Sequence, residues 1–226
     1  MLDMEKWTGK IERPLRVWTN PRITDDIYLH FSEILKKIKN YSHLIKGKVL
    51  DVGAGKSPYK LFFNNATEYI TLDAADYPGI DIKADITKKI PCKNNSFDSV
   101  VCFQVLEHVK SPEKAVNEIY RVLKPGGFCL LTTHMAAPLH GEPYDYYRFT
   151  EYALRELFKK FKKVEIKENG GAALSIFQLM AWGVADRIPK PFSIPLVVML
   201  NLFGKLAEKL FHSRIFTLNY SVLAEK

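Results

Sequence analysis

The chain has 226 residues, enough for one domain with additions, and its 47% apolar content is ordinary for a globular protein with a proper core. Its formal charge of +8 invites a nucleic-acid partner, but much of it lies in runs such as "LKKIKN" and "FKKFKK" at the ends of amphipathic helix patterns. There lysine complements the helix dipole and solvates a face, so charge alone establishes no partner. The three cysteines, Cys92, Cys102 and Cys129, are widely spaced, with no C-x-x-C pair and no His/Cys ligand cluster. No metal is implied by that pattern, and a reducing, cytoplasmic compartment is the expectation.

The opening segment "MLDMEKWTGKIERP" carries acidic residues and no apolar run of signal-peptide type. "GKIERPLRVWTNPRI" mixes prolines, arginines and tryptophan and reads as an irregular arm. Residues 24 to 39 read as a helix capped by Thr24, with Asp25 and Asp26 at its positive end. Ile27, Phe31, Ile34, Leu35 and Ile38 give it one apolar stripe. From Gly47 onward strands alternate with helices. "KVLDV", "EYITLD", "IDIKAD" and "FDSVVCF" read as four strands, the third short and the fourth buried. "SPEKAVNEIYRVL" reads as a helix with a Ser111 cap and Pro112 in its first turn. "KPGG" turns the chain into a fifth strand, "FCLLTT". The loop "HMAAPLHGEPYDYYR" leads to a helix capped by Thr150, with Phe149 and Leu154 placed as a hydrophobic staple. "KKVEIKE" and "IFTLNYSVLAEK" read as strands six and seven. Such alternation specifies an α/β fold, a mostly parallel sheet with helices on both faces.

Residues 169–213 do not fit the alternation. They are strongly apolar and fill a place where a short hairpin would suffice. The uncharged run 169–185 is glycine-rich and falls short of the roughly 20 apolar residues that span a bilayer. A second run, 191–204, is shorter and interrupted by Pro195, so neither reads as a transmembrane helix. "IPLVVMLNLFGKLAEKLF" places Leu196, Met199, Leu200, Phe203, Leu206, Ala207 and Leu210 on one helical face. Three readings follow: a lid buried in the same chain, a homodimer contact, or a peripheral membrane contact through residues 172–212. Arg187, Lys190, Lys205, Lys209 and Arg214 would suit anionic headgroups in the last case.

The turn in "VLDVGAGKSPY" raises the question of its ligand. A triphosphate-binding loop needs a second glycine five residues before Gly55, where Leu50 stands. The dinucleotide fingerprint fits better, with Gly53 and Gly55, although Pro58 replaces its third glycine. In an open parallel sheet the ligand sits beyond the carboxyl ends of the strands, beside the first strand. Asp51 and the turn follow strand one, Asp73 ends strand two, Asp85 ends strand three, and Gln104 to His108 follow strand four. A carboxylate in Asp73's position can accept from both ribose hydroxyls, and Asp85 could accept from an adenine amino group.

Together, "VLDVGAGKSPY", "ITLDAAD", "IKADITKKIPCKNNSFDSVVCFQVLEHV" and "NEIYRVLKPGGFCLLTT" resemble the class I S-adenosylmethionine-dependent methyltransferases. The nearest type is the small-molecule, type 11-like group with "E-H-V" after strand four and "L-K-P-G-G" before strand five. The resemblance runs over residues 47–168 and resumes in the last strand. It implies a Rossmann-like, seven-stranded sheet with the last strand antiparallel, here carrying a helical insertion between strands six and seven. The organisation expected is a single domain: an arm and helix (1–46), a cofactor-binding core (47–168), the insertion (169–213) and the last strand (214–226). The resemblance also implies that Gly53, Ala54 and Gly55 approach the methionine part of S-adenosyl-L-methionine and Asp73 its ribose. Asp85 and Ile86 would border the adenine, and Gln104 and Leu106 the sulfonium side.

Methyl transfer from a sulfonium is largely in-line positioning, with a base needed only for a hydroxyl or a charged amine. The catalytic candidates are His140, Tyr147 and His108, within a set that also includes His134, Asp145, Tyr146 and Arg148. The alternative for that loop is a capped helix entry with Tyr and Arg packed over the sheet edge. For His134 a loop hydrogen bond is the simpler role. Adenine amino-methylating enzymes carry an Asn/Asp-Pro-Pro-aromatic motif after strand four, where this chain reads "QVLEH". Cytosine C5 enzymes need a nucleophilic cysteine that is misplaced here. The expected acceptor is therefore a small molecule, a hydroxyl of a sugar, lipid-linked or quinone-like compound. An RNA or protein acceptor, or a non-catalytic cofactor-binding protein, is the alternative.

Overall fold

The computed structural model describes residues 14–226; the opening segment just read lies outside these, apart from its final residue. Seven strands form one sheet in the order β3-β2-β1-β4-β5-β7-β6. They are β1 (Gly47–Val52), β2 (Ala66–Asp73), β3 (Ile82–Lys83), β4 (Phe97–Phe103), β5 (Leu123–His134), β6 (Lys163–Glu168) and β7 (Asn219–Glu225). β2, β1, β4 and β5 run parallel, and β7 inserts antiparallel between β5 and β6. The order reverses between β1 and β4, which opens a crevice beyond their carboxyl ends.

The period of two along each strand divides the core. Leu50, Val52, Val100, Cys102, Cys129 and Leu131 face α3 (Pro112–Val122) and α4 (Glu151–Leu157). Val49, Val101 and Leu130 face the other way, onto Ile34, Leu35 and Ile38 of α2 (Tyr28–Tyr41). A sheet buried on both faces explains the nearly continuous apolar strands. Thr150 caps α4 by accepting from Ala153 N at 3.2 Å, as expected. The cysteines are free, with Cys102 and Cys129 inside the core.

Four local readings are corrected. The arm includes a short helix, α1 (Leu15–Thr19). α2 begins four residues later than expected, because Asp25 does not serve as a helix-end charge: its carboxylate pairs with Arg16 and accepts from Arg22 N. Ser111 makes no side-chain cap on α3. β5 takes in the "KPGG" segment, accommodating it by a register shift opposite Phe97 and Ser99, with Gly126 at φ +75°.

The insertion forms two helices, α5 (Ala172–Arg187) and α6 (Lys190–Leu210). α6 runs through Pro195 for 21 residues, so the proline that seemed to interrupt it costs only a bond near the helix start. Among the described residues it is the one helix long and apolar enough to cross a membrane by length and composition. Its buried side consists of Ser193, Val197, Leu200, Asn201 and Gly204. Asn201 donates to the carbonyls of Ile23 and Asp25, and Glu208 accepts from Gly171 N and Leu174 N at the start of α5. A Cβ on Gly204 would come within 2.7 Å of Leu29, so glycine permits this close approach. Leu196, Met199, Phe203, Leu206 and Leu210, five of the seven residues of the apolar face, are exposed.

Candidate active site

A cleft of about 310 Å³ lies beyond the carboxyl ends of the central strands, lined among others by Gly53, Asp73, Asp85, Ile86, Gln104 and His108. Its floor is the turn after β1. Gly53 N and Ala54 N donate to the Leu72 carbonyl, at 2.8 and 3.1 Å, which closes the turn against β2. Gly53 sits at φ +67°, and a Cβ there would come within 2.3 Å of Val105. Gly55 has φ +51°, and a Cβ there would meet nothing, because the space beside it is open. The first glycine therefore serves close packing, and the second a left-handed turn beside free volume.

Asp73 is the hinge of this floor. One carboxylate oxygen accepts from Gly55 N at 2.9 Å and the other from Ala75 N at 2.8 Å. Burial raises its pKa against the opposing pull of those backbone N–H groups. Each oxygen keeps a second lone-pair direction, and the residue lines the cleft. Asp85 fixes the far wall by accepting from both the N–H and the hydroxyl of Thr87, and Ile86 supplies an apolar surface beside it.

Not every expected residue reaches the cleft. Asp51 lies beneath the turn, 5% exposed, accepting from Ser57 Oγ at 3.1 Å and Tyr69 Oη at 2.9 Å. Its burial pushes its pKa up to about 7, against the lowering by those two hydroxyls. It supports the turn from below. Leu106 is fully buried in the core, and Val105 lines the cleft in its place. Gln104 is held at φ +58° with its side chain gripped at both ends. It donates to Thr132 Oγ1 at 2.7 Å and accepts from Asn219 at 3.1 Å.

The acceptor side is the loop between β5 and α4. His108 lines the cleft, its Nδ1 2.9 Å from the Tyr144 carbonyl, and burial together with nearby His140 pulls its pKa down to about 4. It is a neutral ring at neutral pH. Tyr144 and Tyr146 line the cleft, whereas Tyr147 turns away and donates to the Lys110 carbonyl at 3.1 Å. The tyrosine favoured from sequence, Tyr147, thus lies outside the cleft lining, where its neighbours Tyr144 and Tyr146 stand. Within an irregular loop no periodicity tells inward from outward, so only the loop itself was legible. Tyr146 N and Tyr147 N both donate to the Glu107 carbonyl, and Arg148 clamps Asp145 at 2.6 and 2.8 Å. His140 stands one ring behind the cleft wall, 4.7 Å from the His108 ring. Glu107, passed over in "LEHV", is fully buried behind the same wall. His134 is also buried, its Nδ1 without a partner and its Nε2 3.6 Å from Glu107 Oε1.

Residues 50–131 match the methyltransferase domain family. A demethylmenaquinone methyltransferase of Streptomyces avermitilis is 29% identical over 123 residues, 49% of this chain and 51% of the relative. A ubiquinone/menaquinone biosynthesis C-methyltransferase of Brucella canis is 28% identical over 152 residues, 65% of this chain and 51% of the relative. The chain thus spans about half the length of these curated relatives. Among solved structures, a SAM-dependent methyltransferase from Archaeoglobus fulgidus superposes with a TM-score of 0.55 at 14% identity, over 88% of this chain and 94% of that one. Phosphoethanolamine N-methyltransferase 2 of Haemonchus contortus, in complex with S-adenosyl-L-methionine, superposes with a TM-score of 0.56 at 18% identity, over 94% of this chain and 59% of that one. At those identities the likeness is one of fold.

The residues present fit S-adenosyl-L-methionine. Asp73 offers two oxygens already aimed by backbone donors, open space adjoins Gly55, and Ile86 and Asp85 give a site with an apolar and a polar side.

Proposed function

Because the chain belongs to the class I S-adenosylmethionine-dependent methyltransferases, we propose that it methylates a hydroxyl of a lipid-soluble, quinone-like or lipid-linked acceptor taken up at a membrane surface. The bound cofactor supplies an activated methyl group on a sulfonium. The chain's task is placement: Asp73 holds the ribose, Asp85 and Ile86 the adenine, and the Gly53–Gly55 turn the amino-acid tail. Gln104 and Val105 border the sulfur end, with His108, Tyr144 and Tyr146 beyond it facing the acceptor. His108 is a neutral ring whose pKa is drawn down to about 4, too weak a base to keep the hydroxyl proton; it would orient the acceptor, and the proton leaves to solvent as the methyl is transferred.

The observation that carries the acceptor class is the outward face of α6. Met199, Leu202, Phe203, Leu206, Leu210 and Phe211 are exposed together, and Ile176 and Met180 of α5 are exposed as well. A soluble monomer rarely leaves such a surface open. Exposed Lys190, Lys205, Lys209 and Arg214 accompany it, the pairing that anionic bilayers select. The relatives named for demethylmenaquinone and for ubiquinone/menaquinone biosynthesis support the quinone-like class alone, since the Brucella relative is named a C-methyltransferase; the hydroxyl is this proposal's own.

Two measurements test this. With labelled cofactor and a crude extract, label should appear in the organic phase; transfer into RNA or protein instead would overturn the acceptor class. The full chain should sediment with anionic liposomes and lose this on Met199→Glu plus Leu206→Glu. Indifference to liposomes, with a dimer by light scattering that the same changes dissolve, would assign the face to a second copy.

A further inference from the structure

Behind the acceptor wall, outside the cleft lining, Glu107, His134 and His140 converge. One ligand-capable atom from each lies within 4.8 Å of the other two. Glu107 and His134 are 0% and 6% exposed. Glu107 Oε1, His134 Nδ1 and His140 Nε2 are all buried without a hydrogen-bond partner. His134 Nε2 stands 3.6 Å from Glu107 Oε1, too long for a hydrogen bond. Each orphaned buried polar atom costs about 1–3 kcal/mol, so Glu107 Oε1 and His140 Nε2, orphaned in one cluster beside the His134 ring, point to a missing partner.

We propose that Glu107, His134 and His140 bind a divalent transition-metal ion of the zinc class. Two imidazoles and one carboxylate suit zinc and suit magnesium or calcium poorly, since those ions prefer an all-oxygen shell. The surroundings fix the ligands in their binding forms. His140 Nδ1 lies 3.0 Å from the Pro138 carbonyl, which can only accept, so Nδ1 carries the proton and Nε2 presents its lone pair. Thr133 donates to Glu107 Oε2 at 2.7 Å and leaves Oε1 for the ion. His30 stacks on the His134 ring, with centroids 5.1 Å apart and 13° between planes, and holds its orientation.

Ligand atoms about 2.0–2.2 Å from a tetrahedral zinc lie roughly 3.3 Å from one another, so the trio closes by about an ångström on binding. A second trio, His108, His140 and Asp145, shares His140. It is the weaker set, because Arg148 already holds both Asp145 oxygens. The ion would tie the turn after β4, the end of β5 and the acceptor loop to one point, fixing the wall that carries Tyr144 and Tyr146. Cysteine spacing gave no hint of it, because the ligands are histidine and carboxylate from separate elements.

The test uses the full chain, stripped with a chelator and dialysed. Zinc should bind at one ion per chain by calorimetry and raise the melting temperature, while magnesium should do neither. Glu107→Gln keeps the shape of the side chain, and His140→Ala alters the least buried ligand. Both should weaken zinc binding at least tenfold, and cobalt bound to the wild type should show a low-coordinate absorption spectrum that both variants lose. No zinc uptake by the wild type, or equal uptake and equal melting-temperature rise in both variants, would overturn the proposal; the latter would mean only surface histidines bind.

Discussion

Removing the Asp73 carboxylate should cripple cofactor binding while leaving a folded protein. Asp73 now satisfies Gly55 N and Ala75 N and faces the cleft with its remaining lone pairs. Hydrogen bonds to a charged group contribute about 1.5–3 kcal/mol each. At ~1.4 kcal/mol per tenfold, losing one ribose bond to Asp73→Ala weakens binding roughly 10- to 150-fold, and losing two weakens it further. The same change frees two backbone donors of the turn, so a melting-temperature drop of several degrees should accompany it. Asp73→Asn separates the effects: its single carbonyl oxygen satisfies one donor and meets the other with an NH2 group, so it should bind between wild type and Asp73→Ala. Calorimetry with S-adenosylmethionine and S-adenosylhomocysteine, beside circular dichroism, reads both. A folded Asp73→Ala chain with wild-type affinity would refute the placement of the cofactor.

Gly53→Ala forces a Cβ to within 2.3 Å of Val105 at φ +67°; it should cost about 1–3 kcal/mol of stability and disturb cofactor binding, read by thermal melts and calorimetry. Asp51 has its pKa raised by burial to about 7, so the folded chain holds its proton more tightly than the unfolded chain. Its contribution is complete below the ordinary carboxylate range and is lost as pH rises through 7. Asp51→Asn should therefore remove about 2–3 kcal/mol of the stability decline between pH 5 and pH 8, and parallel pH profiles of denaturation would fail the assignment. Tyr146→Ala should lower turnover with cofactor affinity retained, whereas Tyr147→Phe, losing one bond to the Lys110 carbonyl, should leave turnover nearly unchanged.

The sheet was legible because its signals are redundant. Buried strands read as apolar runs, the glycine turn sits where β1 must end, and Asp73 closes β2 at the level of that turn. Alternation cannot show that the last strand runs antiparallel; that came with the family resemblance. The site was legible where it depends on strand ends and illegible where it depends on the loop. Asp51 and Leu106 flank cleft residues by one or two positions; the pleat of β1 turns Asp51 inward, and the tight turn after β4 does the same to Leu106. Tyr146 and Tyr147 differ only in which way an irregular backbone aims them. α6 stayed open for another reason. Its leucine stripe suits a lid, a dimer contact or a membrane contact alike, and Asn201 and Gly204, a polar anchor and a space for close approach, decide which side packs. Glu107 and His134 belong to separate elements, and only the folded sheet brings them together.

The most direct test of the central claim is a product balance. Wild-type chain, S-adenosylmethionine and a hydroxylated, membrane-dispersed quinone-like acceptor should yield S-adenosylhomocysteine and O-methylated acceptor in equal amounts, with Asp73→Ala yielding far less of both at limiting cofactor. S-adenosylhomocysteine formed without a methylated organic-phase product, or no turnover of any acceptor by a chain that binds the cofactor, would contradict it.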